Sequence, residues 1–157
     1  MATAHASARV NLRELEPFVG RWKMTGHAYE SPFGSETDVS ADELFEWLTG
    51  GRFLIHRLQG RLGDDEMACI EILGRTGNGR AFTAHTFYND GSSNTWHLED
   101  LGGTWTLTGE WPREGNVLAV RCTIMFADRT HRRATWEYSA DRSTWKVFWL
   151  TEATRID

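Results

Sequence analysis

The chain has 157 residues, of which 40% are hydrophobic and 25% are charged, and its formal net charge is −5 at pH 7. This length and composition are typical of one globular domain that is large enough to bury its own core. The negative net charge argues against nucleic acid as a partner, because phosphate binding needs a concentrated positive face. Eight Trp and eight Phe favour pleated sheets and large concave interiors.

The N-terminal stretch lacks the seven-residue apolar core of a secretory signal. Residues 1–10 are small and polar, and we expect them to be flexible. Residues 11–18 predict a short helix with Asn11 as its N-cap, so that 11–157 form the single domain. Since no apolar run approaches the roughly 18 residues that cross a bilayer, we expect a cytoplasmic protein with no membrane partner.

From Gly20 onward, short apolar runs alternate with turn residues, and no long window repeats at helical spacing. Ten strands are predicted, at 20–29, 37–48, 52–62, 66–74, 80–88, 93–99, 104–110, 116–126, 131–139 and 144–153. Many short strands joined by tight turns indicate an antiparallel meander, closed as a barrel or folded as a sandwich. Ten strands favour an all-β, up-and-down barrel, whose interior has room for a ligand.

Two parts of the sequence carry a resemblance to a known group of barrels. Gly20-Arg21-Trp22 opens the first strand after a short helix, and Arg155 follows the last strand. This arrangement resembles the calycins, which include the lipocalins and fatty-acid-binding proteins. The resemblance implies that Arg155 covers Trp22 at a closed end of the barrel.

A closer resemblance extends from about residue 12 to 155. The stretches Phe45–Arg57, Glu71–Gly74 and Trp136–Trp145 are similar to a large bacterial family of calycin-like domains of unknown function. The family usually continues Gly-Tyr-Asp where this chain has Gly74-Arg75-Thr76. The resemblance therefore implies a fold and leaves the activity open.

The hairpin around Gly63 and Asp64 has a register that can be derived. If these two residues form the turn, His56 lies opposite Glu71, with Cβ atoms about 4.5–5.5 Å apart. The other face of the strand carries three polar residues, Arg57, Gln59 and Arg61, so His56 and Glu71 would point inward. A turn one residue longer would instead pair Arg57 with Glu71 as a surface ion pair.

An interior His56–Glu71 pair has three interpretations. It can be structural, because a buried carboxylate needs a partner. It can also anchor the polar end of a ligand, or transfer a proton as a catalytic pair, because a carboxylate orients the imidazole and raises its pKa. Trp47 is a candidate for the ligand wall, together with His85 and Phe87, which share one face of their strand. A surface position for His85 is the alternative.

No cofactor or metal is expected. Cys69 and Cys122 match no metal spacing, and we expect two free thiols rather than a disulfide. His56, Glu71 and His85 come from different strands, and their spacing does not establish a zinc site. His131 is the nearest positional equivalent of the haem-binding histidine of nitrobindins, a calycin-like group, but the adjacent arginines predict an exterior position.

Three functions are consistent with these features. The first is a binding module that holds a small apolar or amphipathic molecule, whose polar end meets His56 and Glu71. The second is an enzyme of isomerase or cyclase type, in which the same pair transfers a proton inside the cavity. The third is a barrel with a filled interior that acts through its surface or as a homodimer.

Overall fold

The computed structural model describes residues 12–75 and 81–157, and ten antiparallel strands in it form one closed barrel. The strands are β1 (Gly20–Ala28), β2 (Thr37–Trp47), β3 (Leu54–Leu62), β4 (Asp65–Arg75), β5 (Phe82–Tyr88), β6 (Ser93–Asp100), β7 (Thr104–Arg113), β8 (Asn116–Phe126), β9 (His131–Ser139) and β10 (Lys146–Arg155). Each strand pairs with the next along the chain, and β1 pairs with β10 to close the sheet. The predicted up-and-down barrel is confirmed, with each strand end within three residues of its predicted position.

The expected N-terminal helix is present only as a 3-10 helix, Leu12–Phe18, with Pro17 inside it. Proline has no amide hydrogen to continue the helical ladder, and 3-10 segments are rarely long. Leu15 and Phe18 are buried, so the helix plugs one end of the barrel. Asn11 and residues 1–10, for which an N-cap and flexibility were expected, lie outside the described residues. Within these described ranges, no helix has the length and apolarity needed to span a bilayer.

Aromatic side chains fill the plugged end. The ring of Phe18 lies 5.7 Å from Phe45, 5.2 Å from Trp105 and 5.1 Å from Phe126, measured between ring centroids. The indole Nε1 of Trp22 donates a hydrogen bond of 2.8 Å to the carbonyl oxygen of Phe18. These contacts join the helix to strands from around the barrel, so this end is closed.

The β3–β4 hairpin has the predicted two-residue turn. Gly63 has a φ of 60°, which suits glycine at the first position of the turn. His56 therefore pairs with Glu71, whereas Arg57 pairs with Ile70. The longer turn, which would have paired Arg57 with Glu71, is wrong. Along β3 the even-numbered positions are the more buried ones, and they face the lumen.

Candidate functional site

A cavity of about 540 Å³ occupies the lumen. Aromatic and aliphatic side chains supply most of its wall, including Trp96, Trp111, Trp136, Phe148 and Trp149. The cavity runs from the aromatic plug to the opposite end of the barrel, where exposed charged residues border it: Asp65, Glu66, Asp90 and Arg113. We call this second end the mouth.

His56 lies on the cavity wall with its ring stacked on Phe45. The two ring centroids are 3.9 Å apart, and the planes differ by only 4°. The contact follows from the register, because Phe45 on β2 is directly opposite His56 on β3. The stacked ring is held in one orientation, with its two nitrogens directed at carboxylates on β2 and β4.

Both imidazole nitrogens of His56 meet a carboxylate. Nε2 lies 3.1 Å from Oε1 of Glu43, and Nδ1 lies 3.4 Å from Oε1 of Glu71. A neutral imidazole has one N–H donor, whereas the protonated ring has two. Two carboxylate acceptors therefore favour the imidazolium form of His56.

The pKa values of the pair agree with this ionisation. Burial alone would lower the pKa of His56, but its hydrogen bonds to Glu43 and Glu71 raise the pKa to about 8. Burial likewise opposes ionisation of Glu43, yet Arg132 and His56 lower its pKa to about 2. At neutral pH the site thus holds a buried imidazolium and a buried carboxylate.

Arg132 completes the inner part of this network from the other side of the barrel. Its Nη2 donates to Oε2 of Glu43. Its guanidinium also lies over the rings of Trp22, at 4.8 Å, and Phe45, at 5.2 Å. Arg155 lies 4.8 Å from the ring of Trp22, which confirms the contact that the calycin resemblance implied.

Glu71 links the network to β5. Thr86, its directly paired neighbour on that strand, donates a hydrogen bond of 2.6 Å from Oγ1 to Oε2 of Glu71. The chain of contacts therefore runs Arg132, Glu43, His56, Glu71 and Thr86. The carboxylates and the cations alternate along it, so their charges cancel.

The structure separates the other predicted ligand residues from this pair. His85 and Phe87 lie on the outer face of β5, and Phe87 is 54% exposed. The expectation that they face the lumen is therefore wrong. Thr86 pairs with the inward Glu71, so the residues on either side of Thr86 in the strand point outward. Trp47 lies near the plugged end, where its Nε1 donates to Oε2 of Glu16 at 3.1 Å, and it does not line the cavity.

Both cysteines line the cavity and both are free thiols. Burial raises the pKa of Cys69 to about 12 and raises that of Cys122 well above its usual value. A protonated thiol is a poor nucleophile and a poor metal ligand. Among the described residues, no group of three His, Cys, Asp or Glu side chains is arranged to hold a metal ion.

His131 lies on the exterior, as its neighbours predicted. It is exposed, and its Nδ1 is 3.1 Å from Oδ1 of Asp128. The haem-binding position that the resemblance to nitrobindins suggested for His131 therefore lies outside the lumen.

Glu43 and Arg132 are site residues that the sequence analysis does not predict. Each has a signal in retrospect, because each occupies the inward position of an alternating strand. Glu43 follows Val39 and Ala41 at every second residue, and Arg132 precedes Ala134 in the same way. The carboxylate and the guanidinium balance each other only across the folded barrel.

A model of one protein family matches residues 11–155, and its description is "Protein of unknown function (DUF1579)". The chain belongs to this family. The resemblance to a family of unknown function is thereby confirmed. Among curated proteins, none matches the sequence significantly.

Solved structures with low sequence identity share the fold of this DUF1579 protein. Rv2717c from M. tuberculosis superposes with a TM-score of 0.66 at 14% identity, covering 93% of this chain and 97% of that one. The S-type phycobiliprotein lyase CPES from Guillardia theta gives 0.62 at 13% identity, with 92% of each chain covered. A DUF3598 protein of unknown function from Nostoc punctiforme gives 0.59 at 10% identity, covering 90% of this chain and 49% of that one.

Proposed function

We propose that this protein is a calycin-like binding barrel, which holds a small and mostly apolar molecule in its lumen, with a polar end directed at His56 and Glu71. The observation that supports this proposal most strongly is the cavity of about 540 Å³. Its wall is largely aromatic and aliphatic, and its inner end holds an ionised network. Ligand sites are typically concavities of about 300–1,000 Å³ with a few placed polar groups.

The size of the cavity argues against a filled structural barrel. A lumen below about 300 Å³ is too small for an ordinary ligand, and this one is larger at about 540 Å³. The network itself has a structural role, since Glu43 and Arg132 neutralise each other in the interior. That role and ligand binding are compatible, because the network occupies only part of the wall.

An enzyme that uses His56 as a general base has less support. A base needs an imidazole nitrogen with a free lone pair, and both nitrogens of His56 meet carboxylates. Its pKa of about 8 also keeps the ring protonated at neutral pH. The described geometry therefore favours binding over proton transfer.

A neighbour in the structural comparison is consistent with this proposal. One barrel of similar fold is named a phycobiliprotein lyase, so the fold is used by a protein that acts on another molecule. At 13% identity, the likeness extends to the fold and not to individual site residues.

The proposal is tested by titrating the protein with decan-1-ol, a neutral amphipathic probe, and following tryptophan emission. Four of the cavity-lining residues are tryptophans: Trp96, Trp111, Trp136 and Trp149. We expect a saturable change in emission, and native mass spectrometry should give one alcohol per chain.

A pair of matched variants locates the binding. Ala134 lines the cavity, whereas Ala68 is on the outer side of β4. Ala134→Phe should weaken decanol binding at least tenfold, with Ala134→Leu intermediate, and Ala68→Phe should bind as the wild type does. Circular dichroism verifies the fold of each variant. A non-saturable titration of the wild type, or equal binding by folded Ala134 variants, would overturn the proposal.

A further inference from the structure

Glu71 is the most open charged group of the inner network. Its side chain is 14% exposed, compared with 11% for His56, 8% for Arg132 and 5% for Glu43. All four line the cavity. A ligand that reaches the inner end of the lumen can therefore contact the carboxylate of Glu71, whereas Glu43 and Arg132 are more deeply buried.

Glu71 also has unused acceptor capacity. Among the described residues, His56 donates to one of its oxygens at a long 3.4 Å, and Thr86 donates to the other at 2.6 Å. An ionised carboxylate has about four acceptor sites. By contrast, both nitrogens of His56 are engaged with Glu43 and Glu71.

Arg132 is poorly placed to receive an anion. Its guanidinium is paired with Glu43 and lies over the rings of Trp22 and Phe45. A ligand carboxylate would have to compete with Glu43 for that cation, at the cost of leaving Glu43 buried without its partner.

The charges that line the cavity, taken together, also favour a cationic ligand. Among the described residues that line it, five are carboxylates and three are cations once His56 is protonated. The carboxylates are Glu43, Asp65, Glu66, Glu71 and Asp90. The lumen and its mouth together are therefore net negative, which favours cations over anions.

We infer that the polar end of the ligand is a cationic N–H donor, as in an aliphatic amine, and that it binds to the carboxylate of Glu71. The inference rests on the proposed function, since it names the class of molecule that the lumen takes. A charge-assisted N–H···O bond in a site of low polarity is strong, whereas a ligand carboxylate would lie beside a like charge. The barrel thus selects amines against fatty acids of the same length.

Three probes of equal chain length separate this inference from the proposed function. Decylamine, decan-1-ol and decanoic acid are titrated at pH 7, where the amine is cationic and the acid is anionic. We expect decylamine to bind at least tenfold more tightly than decanoic acid, with the alcohol between them.

Glu71→Gln tests the residue, and Glu46→Gln is its matched control. Glu46 is an outward residue of β2 paired with Arg57, so the control removes the same charge outside the lumen. We expect Glu71→Gln to reduce the preference for amine over acid to less than threefold, and Glu46→Gln to keep it.

Each outcome discriminates between the two proposals. If the alcohol binds but the acid binds as tightly as the amine, the inference is overturned and the proposed function stands. The inference also falls if folded Glu71→Gln keeps the wild-type preference. If no probe binds saturably, both are overturned.

Discussion

The stability of the barrel should fall as the pH rises from 6 to 9, because His56 loses its proton. Its folded-state pKa is about 8, compared with an ordinary value of 6.5. A raised pKa means that the folded state binds the proton more tightly than the unfolded state does. The stabilisation is therefore fully present below pH 6.5 and is lost as the pH rises through 8. One pKa unit corresponds to about 1.4 kcal/mol, so His56 contributes about 2 kcal/mol. Burial of the ring opposes this contribution, and the carboxylates of Glu43 and Glu71 more than offset that effect.

Urea unfolding, followed by tryptophan emission, measures this effect in the wild type and in His56→Gln. The wild type should lose about 2 kcal/mol more than the variant between pH 6 and pH 9, which is roughly 1 M in the urea midpoint. Comparing the two proteins removes the contribution of other groups such as His27, whose pKa is also raised, by Glu36 and Asp38. An equal pH dependence in both proteins would refute the conclusion that Glu43 and Glu71 stabilise the protonated form of His56.

Two further predictions concern other parts of the interior. Glu43→Gln should lower the free energy of unfolding by about 3–5 kcal/mol, because it leaves Arg132 buried without its carboxylate; the exposed control Glu46→Gln should cost less than about 1 kcal/mol in the same urea assay. Equal losses in the two variants would contradict this. Cys69 and Cys122 should react with Ellman's reagent at pH 8 at least tenfold more slowly in the folded protein than in urea, because burial raises the pKa of both thiols. Rapid reaction of the folded protein would contradict the conclusion that burial protects the two thiols.

The strands and one register could be predicted because local turn residues determine them. Gly63 and Asp64 fix the pairing of β3 with β4, and that pairing placed His56 opposite Glu71. Residue alternation then assigned the pair to the lumen. The same reasoning failed on β5, where both faces carry apolar side chains. His85 and Phe87 share a face, but nothing local to their strand indicates which side it is.

The rest of the network depends on contacts between distant parts of the chain. Arg132 lies between His131 and Arg133, and such a run of basic residues usually indicates a surface. Its partner, Glu43, is 89 residues away in the sequence. A buried charge is tolerated only with its partner in place, so strand alternation can suggest an inward position for each residue, but their pairing is not recognisable until the barrel closes.

A crystal structure of the protein soaked with decylamine tests the binding of an amine in the lumen most directly. We expect the hydrocarbon chain among the cavity tryptophans and the ammonium nitrogen about 2.7–3.2 Å from a carboxylate oxygen of Glu71. An amine bound outside the barrel, or one whose nitrogen lies at the mouth beside Asp90, would contradict the assignment of Glu71 as the anchor.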